Sequence, residues 1–568
     1  MIGKHSDDVN LPDKIPMDLP WNHGHRMAIR QTACNIATKN SIHTFDYMDL
    51  GELARQSLQC NQLPDAHYTF ALDAIITALW ISDYSTVAPS RRLLFVPHGV
   101  RQASIRSPTA TNHSQDTGVL DTDGLARLLR RAKELGYQTL IADESPCDIV
   151  DLTIHGTADA VLLLSCLDRP DDHLERLSAL GIPHVVVPFA LTHQASISID
   201  SAEMIRLLEV PAPVIPQGYR SYLPIYRLAA HLDVDRLLGP VHSHPELSVI
   251  DTMSRTQLTE GGKYLRPFCV LAAYVARHQG RANTPISEDA QALCPLAALR
   301  LALASECMHK ASLAHDDIQD GSGARYGRPA PHAVYGVDLA INLGDHLLGI
   351  GYSQVALTRP ALGAAAVADI LSSLSDAHRE LCLGQGAELL ARRDLSRVGL
   401  EGVLEIASRK TAPGFSASIE IGLRAAGSPC AYTSIRHFAH HLGLCFQIHD
   451  DIQDWNEDES LASADLIAGQ PTILSAFAVA AGRGDELVQH QRTLHGLTLA
   501  TAGHRIYCET NAFRMAYDLA DRHRACALSI IRDIPEPGVQ AFLHFLVRLA
   551  CPRTAVYAGR AHYQRTTG

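Results

Sequence analysis

One six-residue string occurs twice in this chain, as His315-Asp316-Asp317-Ile318-Gln319-Asp320 and as His449-Asp450-Asp451-Ile452-Gln453-Asp454. Each copy places Asp at i, i+1 and i+4. On a helix, i and i+4 lie one turn apart on the same face, with i+1 beside them. Both copies follow apolar sequence, Ala311–Ala314 in one case and Cys445–Ile448 in the other. The chain must therefore fold so that two carboxylate clusters sit among apolar helices. Clustered carboxylates repel one another unless a cation compensates, and hard oxygen ligands of this kind suit Mg²⁺ bound together with substrate phosphates. A single cluster is compatible with a solvated acidic helix face; two copies embedded in apolar sequence call for a metal.

Cations suited to a phosphate group lie nearby in sequence. Gly261-Gly262-Lys263-Tyr264-Leu265-Arg266-Pro267 places Lys263 and Arg266 three apart after a glycine pair. His309 precedes Asp316 by about two helical turns. Arg325 follows the first cluster, and Lys410-Thr411 opens the stretch Lys-Thr-Ala-Pro-Gly-Phe.

With these stretches the sequence resembles the trans-polyprenyl (isoprenyl diphosphate) synthase family over about residues 235–568. The matching segments are GGKYLRP, ECMHKASLAHDDIQDGSGARYGRPAPH, AINLGDHLL, RKTAPGF and CFQIHDDIQD. The resemblance implies an all-α isoprenoid synthase bundle, with the two Asp-rich motifs facing each other across a cavity. It implies Mg²⁺-dependent prenyl transfer, in which an allylic diphosphate ionises, isopentenyl diphosphate adds and a proton is lost. Asp316, Asp317, Asp320, Asp450, Asp451 and Asp454 correspond to the metal-binding positions and, with Lys410, to the catalytic set. Lys263, Arg266 and His309 correspond to the isopentenyl diphosphate site. Arg325, Lys410, Thr411 and Gln447 correspond to the allylic site. A homodimer is the family habit.

Four positions depart from the family pattern. Tyr264 stands for the middle Arg of GGKRLRP, and Tyr326 for the second Arg after the first motif. Ser460 and Gln470 stand where two lysines are usual. A phenol does not supply the bidentate charge of a guanidinium. The leading reading is a synthase; the alternative is a terpene cyclase on the same fold, which ionises a long allylic diphosphate without condensation. A third reading is a regulatory subunit of a synthase.

Product length has its own signal. Ala311 and Ser312 lie about one turn below Asp316, and Met308 a further turn down. Bulky aromatics here stop growth early in the resembling family, so this chain is expected to handle a substrate or product of geranylgeranyl length or longer.

The N-terminal part reads differently. Residues 1–89 read as mostly helical or irregular. From 90 to 212 short apolar runs alternate with amphipathic helices: 93–97, 137–142, 160–164 and 182–188 are strand-like, while 124–135, 148–155 and 173–180 are helical. That alternation predicts a smaller, parallel-sheet, Rossmann-like α/β domain. Its likeness to one lobe of the periplasmic-binding-protein or LacI-type sugar-binding fold is one of βα periodicity, and its role is open. There is no GxGxxG and no GxxxxGK[ST] in it. Residues 213–234 read as a linker and 235–568 as the catalytic domain, making the protein multidomain.

Composition sets the remaining bounds. A formal charge of -12 repels phosphate backbones, so nucleic acid is not an expected partner. No apolar run reaches the ~18 residues of a membrane span. The N-terminus carries acids and prolines and no leader-like apolar stretch, and the 13 Cys form no CxxC pair, so a reducing, cytoplasmic setting is expected.

Overall fold

The computed structural model describes residues 23–39, 47–97, 119–120, 122–141, 149–154, 158–166, 173–191, 197–211, 222–279, 290–393, 398–428, 432–455 and 464–551. The chain divides into two compact units. One comprises Met1–Asp143, Ala158–Asp171 and Pro183–Gln217; the other comprises Glu144–Thr157, Asp172–Ile182 and Gly218–Gly568.

The first unit is built on a six-stranded sheet of order β2-β6-β5-β4-β1-β3. Its strands are β1 (Arg92–Val96), β2 (Val119–Leu120), β3 (Gln138–Ile141), β4 (Ala160–Cys166), β5 (His184–Leu191) and β6 (Ile197–Ile199). The four strands from β5 to the β3 edge are parallel, as the apolar runs predict. The sheet as a whole is mixed, because β6 pairs antiparallel with β5 and β2 antiparallel with β6. Only residues 192–196 separate β5 from β6. That is too short for the crossover a parallel neighbour needs, so the chain reverses. The unit also begins before residue 90. The helix Tyr68–Thr86 packs on β5, where the Thr77 hydroxyl accepts from the Val186 N–H (2.9 Å) and donates to the Val186 carbonyl (3.2 Å). Arg92 is wholly buried in this core. It is sustained by bonds to the Val87 and Val210 carbonyls (2.8 Å each) and to the Tyr137 hydroxyl (3.0 Å), as a buried charge requires.

The second unit is helical apart from a hairpin of β7 (Ala324–Arg325) and β8 (Arg328–Pro329). Leu265–Gln279 is its central helix. Phe268 on this helix is fully buried and packs against Tyr226 (ring centroids 4.8 Å apart) and Phe545 (5.7 Å). Leu296–Asp320 lies against Leu265–Gln279 and Val337–Ala356, while Leu400–Ala425 lies against Ala364–Ala391 and Tyr432–Gln453. The stretch expected as linker is helical over Leu223–Ala230, and five of its eight residues are buried. Two short helices within 90–212, Ile149–Ile154 and His173–Leu180, belong to this helical unit; they pack on Leu223–Ala230 and on Pro537–Ala550 respectively. Among the described residues no helix is long and apolar enough to cross a membrane.

Candidate active site

The first cluster ends the Leu296–Asp320 helix, and each of its carboxylates has a positively charged or amide partner. Arg325, on β7, donates from Nε to Asp317 Oδ1 (2.6 Å) and from Nη2 to Asp316 Oδ2 (3.3 Å). Arg392 donates to Asp320 Oδ1 and to Glu388 Oε1 (2.5 Å each), and Gln470 Nε2 reaches Asp320 Oδ2 (3.2 Å). Burial raises the Asp316 and Asp317 carboxyls above their ordinary range, opposed by Lys410 for Asp316 and by Arg325 for Asp317.

The second cluster, at the end of Tyr432–Gln453, is built differently. Asp450 is exposed. Asp451 is buried; Gln447 Nε2 (3.0 Å) and the Ile473 N–H (2.8 Å) donate to its two oxygens, and the Thr411 hydroxyl donates to Gln447 Oε1 (3.0 Å). No ion pair to any of its three carboxylates is found among the described residues. Burial, with Asp465 and Asp450 adding, therefore pushes Asp451 up to about 8. Asp454 is raised by burial and by Asp465, with which it shares a hydrogen bond, and Asp465 is itself raised by burial. Burial thus raises the carboxyls of both clusters, and at the first it is opposed by Lys410 and Arg325.

Two side chains act on the first cluster and on Asp465, which lies beside the second. Lys410 donates to Glu388 Oε2 (2.6 Å); burial opposes its charge, but Glu388, Asp316 and Asp320 outweigh burial and raise its affinity for the proton. Its field also lowers Asp465, while Glu388 raises both Asp316 and Asp465. Close helix crossings make this convergence possible. A Cβ on Gly384 would lie 2.8 Å from Arg409 Cβ and 3.0 Å from the Lys410 nitrogen, and one on Gly443 would lie 2.8 Å from the Ala412 nitrogen. Only glycine lets Ala364–Ala391 and Tyr432–Gln453 approach Leu400–Ala425 this closely.

On the other side of the first cluster stand Lys263, Arg266 and His309. The Arg266 guanidinium lies over the Phe415 ring (4.9 Å) and the Lys263 ammonium over the Phe446 ring (5.7 Å). His309 is held well below its ordinary pKa by burial and then by Arg266, Lys310 and Arg325, which keeps the imidazole neutral beside three cations. Below the clusters, Ala311 is fully buried, Met308 approaches Gly351 of the neighbouring helix, and the Ser312 hydroxyl closes on the His309 carbonyl (2.8 Å).

Five residues at this site carry no signal in the spacing of the motifs: Glu306, Lys310, Glu388, Arg392 and Asp465. Glu388 and Arg392 are an i, i+4 pair like any surface ion pair in sequence, and Asp465 follows a stretch that differs from the family pattern.

Comparison with known proteins places the chain. The polyprenyl synthetase family model matches residues 248–495. The (2E,6E)-farnesyl diphosphate synthase of Mycobacterium bovis is 31% identical over 291 residues, which are 48% of this chain and 74% of that protein. The chain belongs to the polyprenyl synthetase family. The all-trans-nonaprenyl-diphosphate synthase of Rhodobacter capsulatus is 27% identical over 315 residues, 54% of this chain and 90% of its own. The chloroplastic geranylgeranyl pyrophosphate synthase of Capsicum annuum is 30% identical over 259 residues, 44% of this chain and 66% of its own. These relatives are prenyltransferases, and this family member is an enzyme of that class; the family model's match lies on its C-terminal part.

Proposed function

We propose that this polyprenyl synthetase is a Mg²⁺-dependent isoprenyl diphosphate synthase, which condenses an allylic diphosphate with isopentenyl diphosphate to a product of geranylgeranyl length or longer. The observation that carries the reading is the pair of aspartate clusters, with Lys410 and Glu388 acting on the first and on Asp465 beside the second. Asp316, Asp317 and Asp320 with Asp450, Asp451 and Asp454 fit Mg²⁺: they are hard oxygen donors, and the protons held on Asp451 and Asp454 mark places where a cation is favoured. Among the described residues no three side chains converge to enclose an ion by themselves. That suits Mg²⁺, which uses one or two carboxylates and completes its shell with substrate phosphates and water. Bound Mg²⁺ would supply neutralisation of the charge that develops on the departing diphosphate.

The chain's own groups do the rest. Arg325 exchanges Asp317 for an allylic phosphate oxygen, and Lys410 donates to the same group from beside Glu388. Thr411 and Gln447 orient Asp451. Lys263 and Arg266 bind the diphosphate of the second substrate, and neutral His309 donates to it one hydrogen bond without adding charge. Product analysis tests the reading. With Mg²⁺ and geranyl, farnesyl or geranylgeranyl diphosphate, a longer diphosphate should form only when isopentenyl diphosphate is present. Hydrocarbon or alcohol from the allylic substrate alone would instead make it a cyclase, the reading that Tyr264 and Tyr326 favour. Ala311→Phe should shorten the product, because a ring at a fully buried alanine fills space the packed helices do not yield elsewhere. An unchanged product distribution would contradict this placement of the cavity floor.

A further inference from the structure

We propose that Lys310 is a positioning residue for the isopentenyl diphosphate site, fastening the glycine turn that presents Lys263 and Arg266; the inference rests on the synthase reading above. Lys310 projects from the Leu296–Asp320 helix and is only 3% exposed. Its ammonium donates to the Gly261 carbonyl and reaches the Glu260 carbonyl at 3.5 Å. It lies 5.5 Å from the Tyr264 ring centre and 5.2 Å from that of Tyr326. The nearest carboxylate, Glu306, is 3.9 Å away and accepts no hydrogen bond, so Lys310 spends its bonds on the turn.

The turn is shaped to receive it. Gly261 and Gly262 have φ of 74° and 110°, in the region that disfavours side chains. A Cβ on Gly262 would stand 3.2 Å from the Lys310 nitrogen, and one on Gly261 3.0 Å from the Tyr326 ring. Tyr264 follows at φ 45°, an unfavourable conformation for a side-chain-bearing residue, which persists only when its surroundings enforce it. Packing alone does not do so: Tyr264 is 5% exposed, yet it borders a cavity of about 210 Å³ that Glu306, Leu303, Leu258 and Thr259 also line. What remains is polar: Lys310 on Gly261, the Tyr226 hydroxyl donating to the Lys263 carbonyl (2.5 Å), and an ion pair of Arg328 with Glu260. Lys263 thus sits between two clamps, and Arg266 opens the helix that follows.

The test uses Lys310→Met, which keeps the length of the side chain and loses its charge, and Tyr226→Phe, which loses only the second clamp. Steady-state rates are measured on the full chain with each substrate varied in turn. For Lys310→Met the KM for isopentenyl diphosphate should rise about tenfold to a hundredfold, the range expected for losing a hydrogen bond from a charged group. Tyr226→Phe should raise the same constant about fivefold, as for a neutral bond. The KM for the allylic diphosphate and kcat should stay within about twofold in both, since uniform binding to one substrate is all that is removed. Equal rises for both substrates, or none, would overturn the proposal. So would a rise in Lys310→Met without one in Tyr226→Phe, which would mean that Lys310 touches the diphosphate itself. If Lys310→Met does not fold, Tyr226→Phe decides alone. A wild type that makes no isopentenyl-dependent product would fail the synthase reading itself, and that assay is separate from the comparison of variants.

Discussion

The two aspartate clusters share a hexapeptide and differ in everything around it. The first is compensated by protein: Arg325 holds Asp316 and Asp317, and Arg392 and Gln470 hold Asp320. The second has an amide and a backbone N–H, from Gln447 and Ile473 to Asp451, while burial and Asp465 raise the Asp454 carboxyl. Identical motifs therefore rest in different charge states before any ligand arrives. On the proposed reading, a diphosphate would draw Arg325 from the first cluster and uncover its carboxylates, and a divalent cation would displace protons in the second.

The largest effect expected from breaking this pair is on turnover. Asp316→Asn and Asp450→Asn should each lower kcat about a thousandfold, the loss of roughly 4 kcal/mol of transition-state stabilisation. Near wild-type rates in either would remove that cluster from the mechanism. Arg392→Met sharpens the difference at the level of stability. It leaves the largely buried Asp320 with only the Gln470 amide and Glu388 with Lys410 alone, so urea denaturation should show a loss of about 3 kcal/mol. No residue of the second cluster has such a partner among the described residues. Asp454→Asn should cost less than about 0.5 kcal/mol or stabilise the metal-free protein, because it relieves a raised carboxyl beside Asp465. A loss as large as that of Arg392→Met would mean the two clusters are compensated alike.

The pH dependence of stability follows from the second cluster. Asp451 ionises near 3.8 in the unfolded chain and at about 8 in the folded protein. The folded protein binds the extra proton, so this contribution is fully present below about pH 4 and is lost as pH rises through about 8. The metal-free protein should melt at progressively lower temperature across that window. Mg²⁺ with a diphosphate should reverse the trend, since its ligands must be deprotonated. A melting temperature that climbs from pH 6 to pH 8.5 without metal would contradict the raised carboxyl.

What was legible in the sequence were the features with a period. The carboxylates at i, i+1 and i+4 located both clusters, and the alternation of apolar runs with amphipathic helices gave four parallel strands, β1, β3, β4 and β5. The residues that set the charge states were not legible. Glu388 and Arg392 stand at the end of one long helix, which the crossing at Gly384 brings to the site, and Asp465 stands on the five-residue helix Ala464–Ala468. The antiparallel strands β6 and β2 escaped because three and two residues carry no alternation to read. The unit boundary escaped because contact, not composition, defines it. Shortening the chain to begin near residue 221 would strip Ile149–Ile154 and His173–Leu180 from the helices they pack on in the same unit.

The central claim is that two identical motifs, one neutralised by arginine and one by protons, close on one metal–diphosphate group. Proton release on binding measures it directly. Titration calorimetry with Mg²⁺ and an unreactive allylic diphosphate analogue, repeated at pH 7 in buffers of different ionisation enthalpy, counts the protons lost. Wild type should release about one to two protons from Asp451 and the Asp454–Asp465 pair, and Asp454→Asn about one fewer. Binding with no net proton release in wild type, or the same release in Asp454→Asn, would contradict the account.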